Sequence, residues 1–154
     1  MRFSFRPPNA DYLGFPATPE GIVSTARRAE ALGYDAVMVN DHIIVKGSED
    51  LVASWGNTFD PLVTLAYLAA ETRTVKLGPS VLIAPYRNPI ATAKMLATID
   101  QFSGGRLIVG VGAGWQELEF EALSLPHARR GEMTDEYIDI YRACWAPDPV
   151  SFSG

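Results

Sequence analysis

Residues 74–115 read TVKLGPSVLIAPYRNPIATAKMLATIDQFSGGRLIVGVGAGW. Two short β-branched and apolar runs, 75–83 and 106–111, flank one helical pattern. The first run holds Gly78 and Pro79, which predicts a bulge or special backbone geometry within a strand. Asn88 followed by Pro89 predicts a helix start: asparagine caps the free N–H groups, and proline at the first helical position has no N–H to satisfy. Ile90, Ala93, Ala97 and Asp100 then recur at helical spacing, and Ser103-Gly104-Gly105 ends the helix. The second run continues into Gly112-Ala113-Gly114-Trp115. A strand, a helix and a strand in this order signal a parallel sheet.

The same unit extends in both directions. Upstream, Arg2 to Arg6 reads as a first strand and Asp35 to Asn40 as a second. Between them Thr18-Pro19 opens a helix with Ile22, Ala26, Ala29 and Leu32 on its apolar face, and Gly33 ends it at a left-handed position. Residues 43–59 read as a long loop. Asp60-Pro61 repeats the helix start, with Leu62, Leu65, Ala66 and Ala69 forming the face. Downstream, a short helix is expected near Gln116 to Leu123. A last one runs from about Arg130 to Trp145, with Met133, Tyr137, Ile140, Tyr141 and Cys144 on one side and Pro147 and Pro149 as its stop. The sum is four βα units in one domain spanning residues 1–154. Two architectures accommodate it: an open doubly wound sheet, or part of a (β/α)₈ barrel. A whole barrel takes about 250 residues, so this sequence supplies about half of one.

Composition narrows the function classes. The 154 residues are 47% hydrophobic and 20% charged, with a net charge of -5, an ordinary globular balance. The acidic surface disfavours nucleic acid and anionic membrane as partners. One cysteine, Cys144, cannot form an internal disulfide. No apolar run reaches the roughly 20 residues of a membrane span, and MRFSFRPPN lacks the apolar core of a signal peptide. The expected compartment is the cytoplasm.

In both architectures ligands bind at the C-terminal ends of parallel strands. Asp41 and His42 end the second strand, where a carboxylate and an imidazole can orient a substrate or move a proton. They can equally cap a loop and pack passively. Gly110-Val111-Gly112-Ala113-Gly114 ends the fourth strand. It is not a dinucleotide fingerprint: GxGxxG needs glycine at position 115, where Trp115 stands, and the fingerprint follows a first strand. Ser80-Val81 lies just past the bulge. Arg87 is an anion-holding candidate or a solvated loop charge. Trp55 and Phe59 either stack on a planar ligand or anchor the loop. His42 and His127 lack metal-ligand spacing.

Four segments together resemble the bacterial-luciferase-like superfamily, in particular its F420-dependent oxidoreductases. They are TPEGIVSTARRAEALGYDAVMVNDH (18–42), TVKLGPSVLIAPYRNPI (74–90), TIDQFSGGRLIVGVGAGW (98–115) and RRGEMTDEYIDIYRACW (129–145). The resemblance implies a TIM (β/α)₈ barrel of luciferase-like type, here truncated to about four βα units. It implies a flavin or deazaflavin across the barrel mouth, F420 with FMN as the alternative, and hydride transfer or monooxygenation of a small organic substrate. Asp41 and His42 would be the catalytic pair, beside the cofactor ring. Asp41, Ser80, Val81, Gly112, Ala113 and Gly114 would border the cofactor, with a cis peptide between non-proline residues in the strand-three bulge. Half a barrel leaves two strand edges and the inner face uncovered. A homo-oligomer or a complementary half-barrel is therefore expected. A non-catalytic half-barrel and an open-sheet nucleotide-binding domain are the competing readings.

Overall fold

The computed structural model describes residues 1–12, 14–147 and 151–154. Strand β1 (Ser4–Phe5), strand β2 (Ala36–Val39) and strand β3 (Lys76–Pro79) lie in that order in one parallel sheet. Ser4 faces Ala36, and Val37 faces Leu77. The third strand breaks at Ser80–Val81, whose peptide bond is cis, and resumes as β4 (Leu82–Ile83). Its new partner is β5 (Val111–Gly112), again in parallel. Below the break the fourth strand already touches the third: Leu107 bridges Leu77, and the Ile108 N–H donates to the Leu77 carbonyl at 2.8 Å. Spatial order therefore follows chain order, one to four. The reversal of strand order that makes the crevice of a doubly wound sheet does not occur among the described residues.

The three proline starts form as expected, because each is decided by a few adjacent atoms. The Thr18 hydroxyl accepts from the Gly21 N–H at 3.0 Å and opens α1 (Pro19–Ala31). One Asp60 oxygen accepts from Leu62 at 2.8 Å and Val63 at 3.1 Å. Those bonds open the next long helix, Pro61–Glu71. Asn88 accepts from Ala91 at 3.1 Å to open the helix Pro89–Ser103. Before the Asp60 start, the expected loop contains a further helix, α2 (Glu49–Trp55), capped by Ser48. None of its residues is buried, so it has no apolar stripe to reveal it. Pro61–Glu71 is accordingly α3 and Pro89–Ser103 is α4; α5 (Glu117–Ala122) and α6 (Arg130–Cys144) follow.

Val37, Val39, Leu65, Leu68, Leu77 and Leu96 are fully buried between sheet and helices. Each such side chain contributes about 1.5–3 kcal/mol. The buried stripe of α4 is Thr92, Ala93, Leu96, Ile99 and Ser103. Ile90, expected on that stripe, is 65% exposed. Apolar residues surround this helix, so periodicity admits two stripes; packing against α3 selects the one with Leu96 and Ile99. On α6 only Tyr141 is buried, while Met133, Tyr137, Ile140 and Cys144 are half-buried. Pro149, an expected stop, lies outside the described residues.

Two polar clamps hold the N-terminal ends of the third and fourth strands. Arg106 donates to the carbonyls of Ser103, Val75, Ala69 and Thr72 and to the Thr72 hydroxyl, at 2.6–3.2 Å. Glu30, at the end of α1, accepts on a single oxygen from the N–H groups of Arg73, Thr74 and Val75 and from the Thr74 hydroxyl, at 2.6–3.1 Å. Burial works against the Glu30 charge, but these donors outweigh it and hold the carboxyl down to about 2, against an ordinary 4.5. A depressed carboxyl adds stability that is complete above its ordinary value and lost as pH falls through the folded one. Glu30→Gln is therefore expected to cost about 1 kcal/mol at neutral pH, a figure reduced for the exposure of the site. In urea unfolding the gap to the parent protein should close as pH drops from 4.5 toward 2.

Candidate active site at the strand ends

A cavity of about 290 Å³ opens where the strands end. Asn40, Asp41 and His42 reach it from β2, and Ser80, Val81 and Ile83 from the third strand. Gly114 and Trp115 follow β5, Trp55 closes α2, and Tyr86 sits on the 3₁₀ turn after β4. Arg6 enters from just beyond β1. A second hollow of about 640 Å³ shares Arg6, Asn40 and Trp55 with the first and adds Phe5, Pro7 and Tyr12.

The end of β2 is fixed from both sides. Asn9 and Asn40 exchange two hydrogen bonds at 3.0 Å, side chain to backbone, in a fully buried contact. Asp41 has a fully buried side chain whose two oxygens are both engaged. Arg87 grips it in a fork at 2.7 and 2.8 Å, and the Ile83 N–H donates to it at 2.9 Å. Arg87 also reaches Asp60 at 2.8 Å, the residue that caps α3. Burial alone would weaken the guanidinium's hold on its proton; the two carboxylates reverse this and raise it above its usual range. Arg87 thus holds an anion, as its chemistry allows, but the anion is internal. The triad ties strand two, strand three and α3 together directly behind the cavity.

His42 is arranged differently. Its side chain is 15% exposed, with Trp55 at 5.6 Å and Trp115 at 6.2 Å between ring centres. Its Nδ1 lies 3.1 Å from Oε2 of Glu119, a side chain only 1% exposed. Glu119 also accepts from the Ile43 and Ile44 N–H groups, at 2.6 and 3.1 Å, and from the Tyr86 hydroxyl at 2.8 Å. Burial works to raise the Glu119 carboxyl, yet His42, the Ile43 N–H and Tyr86 together lower it, so it is ionised. An ionised carboxylate only accepts hydrogen bonds. Nε2 makes no hydrogen bond within the described residues.

Of the expected cofactor-bordering residues, Asp41, Ser80, Val81 and Gly114 line the cavity, while Gly112 and Ala113 do not. Gly112 serves the packing of the bulge. A Cβ there would lie 2.5 Å from a Val81 methyl, and valine is stiff about its first torsion. Gly114 has φ +79 and sits against Ile83 and Phe120, which leaves no room for a side chain. Trp55 belongs to the cavity wall and Phe59 to the main core. Glu119 escaped the sequence reading. It is one of three glutamates in α5, at 117, 119 and 121, and its partner His42 is 77 residues away. Only its buried place under Tyr86 distinguishes it.

These features define an α/β protein with a ligand-sized site on one rim of a parallel sheet. The profile of luciferase-like monooxygenases matches residues 3–154, and the chain belongs to that family. It is 35% identical over 140 residues to the F420-dependent glucose-6-phosphate dehydrogenase of Amycolatopsis mediterranei, covering 88% of this chain and 40% of that protein. It is 40% identical over 96 residues to the FMNH₂-dependent dimethylsulfone monooxygenase of Pseudomonas putida, covering 60% and 26% respectively. A monooxygenase crystal structure from Streptomyces bottropensis superposes with a TM-score of 0.83 at 26% identity, covering all of this chain and 46% of that one. The chain spans half or less of the length of these relatives. No helix among the described residues is long and apolar enough to cross a membrane.

Proposed function

We propose that this chain supplies the first four βα units of a (β/α)₈ barrel oxidoreductase. Its cofactor is a flavin or deazaflavin, F420 in the first place and FMN as the alternative. Its reaction is hydride transfer or monooxygenation of a small organic substrate. The observation that carries this reading is the cavity at the strand ends, where an oriented histidine faces the Ser80–Val81 bulge between two indoles.

The cavity fits part of such a cofactor. Val81, Ile83 and Trp115 give apolar walls suited to a flat ring, with His42, Asn40 and Ser80 as polar edge groups. About 290 Å³ is near the lower end for small-molecule sites, room for a ring rather than a whole nucleotide-tailed cofactor. Arg6 is the one cation lining it among the described residues, so the phosphate-bearing tail is assigned to the barrel's other units. When bound, the cofactor supplies the hydride or the reduced centre that meets oxygen. The protein does the rest. Asp41 and Arg87 fix the bulge behind the ring. His42 takes up or returns a proton at Nε2 as a substrate oxygen changes between hydroxyl and carbonyl. Trp55 and Trp115 exclude water, and the hollow beyond Trp55 leaves space for the substrate.

A second reading, a half-barrel without catalysis of its own, is favoured by one observation. Ser4, Ala36, Met38, Lys76 and Ile108 line an open hollow of about 370 Å³ on the sheet. In a complete barrel that face is filled with side chains. A second copy or a complementary half is the proposed cover.

Titration with F420 and FMN separately, with the size of the protein followed in parallel, tests both readings. The expected result is saturable binding of one cofactor by an assembled form larger than one chain. Absence of binding to either cofactor at high concentration would overturn the oxidoreductase reading.

A further inference from the structure

We infer that Glu119 is a positioning residue that selects the tautomer of His42, keeping the proton on Nδ1 and presenting Nε2 as the base toward the cavity. The chemical use of that base rests on the function proposed above; the tautomer itself does not.

Both oxygens of Glu119 are fully engaged. Oε1 takes the backbone N–H groups of Ile43 and Ile44, and Oε2 takes the Tyr86 hydroxyl and His42 Nδ1. Every partner is a donor, and the side chain is 1% exposed. Protonating this carboxylate would turn one acceptor into a donor facing other donors, with no water to relieve it. The Tyr86 ring stands against Phe120. Burial and the neighbouring Glu119 charge both favour its neutral form, so its hydroxyl donates to the carboxylate. With the carboxylate fixed as an acceptor, the other His42 tautomer would set a ring lone pair 3.1 Å from an anionic oxygen. That arrangement forfeits a charge-assisted hydrogen bond, a loss of about tenfold or more in the tautomer ratio.

The chain of contacts also fixes the ring in space. Glu119 hangs from α5, immediately after the glycine run of strand four, while His42 ends strand two. The bonds to Ile43 and Ile44 pull the loop after His42 onto α5. The imidazole is thereby held between the two indoles rather than free to rotate. A carboxylate that orients a histidine, fixes its tautomer and supports a proton on its far nitrogen is a recurring arrangement in proton-transfer sites.

The test uses the full ¹⁵N-labelled chain without any cofactor. Long-range ¹H–¹⁵N correlation spectra distinguish protonated from unprotonated ring nitrogens. The protein has two histidines, and His127→Gln assigns the signals. The expected pattern at mildly alkaline pH is His42 with Nδ1 protonated and Nε2 bare. Glu119→Gln should reverse it by about tenfold or more. The introduced amide keeps its oxygen on the Ile43 and Ile44 N–H groups and turns its NH₂ toward Nδ1. Tyr86→Phe, which removes a donor but keeps the charge, should leave the tautomer unchanged. Nε2–H in the parent protein would overturn the inference whether or not the Glu119 variant folds, and so would a Glu119→Gln protein that retains Nδ1–H. Failure to bind either cofactor would overturn the proposed function and leave the tautomer result standing, so the two failures are distinguishable.

Discussion

Arg87→Met is expected to destabilise the protein by about 3–5 kcal/mol, the usual cost of removing one partner from a buried ion pair. Asp41 is left in place with a fully buried side chain and one remaining hydrogen bond, from the Ile83 N–H at 2.9 Å. The Arg87 side chain is itself only 14% exposed, so water cannot easily replace it. Domains of this kind have about 5–15 kcal/mol in total, so the loss takes a large share. Urea unfolding measures it. The same change should reach the site, because the Arg87 fork joins the end of strand two to the turn after β4 and, through Asp60, to the start of α3. Affinity for the proposed cofactor should fall with stability. Asp41→Asn/Arg87→Met, which removes the stranded charge, should recover part of the lost stability. A single variant as stable as the parent would show that the triad is not the brace described.

Arg106→Met should cost about 2–3 kcal/mol by the same measurement, for a different reason. Among the described residues the Arg106 guanidinium bonds to no carboxylate. The five hydrogen bonds of its guanidinium go to the carbonyls of Ala69, Thr72, Val75 and Ser103 and to the Thr72 hydroxyl. Ala69 and Thr72 lie at the end of α3 and Ser103 at the end of α4. There the final carbonyls lack helical partners and carry partial negative charge. A charged donor to each gains more than a neutral one. The site is partly open, so water takes up some of the freed carbonyls, which keeps the cost below that of Arg87→Met. Arg106→Lys should recover less than half, since an ammonium cannot reproduce the planar fork. Affinity for the proposed cofactor should not change, because Arg106 lies at the opposite end of the strands from the cavity. A loss of binding equal to that in Arg87→Met would contradict this separation.

The sequence was most readable where neighbouring residues decide the structure. Thr18-Pro19, Asp60-Pro61 and Asn88-Pro89 each start a helix because cap and proline act within one turn. Gly78 and Pro79 pair regularly with β2, and the irregularity they signal falls just beyond them, at Ser80–Val81; Asp41 and His42 follow the end of strand two, as expected. What stayed hidden depends on distant partners. Arg87 meets Asp41 across 46 residues, and Glu119 meets His42 across 77. Neither pairing leaves a periodic trace. The helix α2 leaves no periodic trace because it buries nothing, and of the face expected on α4 Ala93 is buried but Ile90 is not, because Ile90 and Leu96 are equally apolar. Gly112 was readable as a place of close approach, but not what approaches: the neighbour is the Val81 side chain.

The two clamps at Glu30 and Arg106 carry a consequence for how such a protein can diversify. They secure the strands at one rim, while Trp55, Trp115 and the loop after His42 occupy the other. Substitutions that reshape the rim around the cavity leave the anchorage untouched, so its lining can change without eroding the scaffold. Drift at the anchored rim has the opposite character, spending folding margin while leaving ligand choice alone. Tolerance to substitution is therefore expected to be greatest around the cavity, except at the brace of Asp41, Arg87 and Asp60, whose members depend on one another.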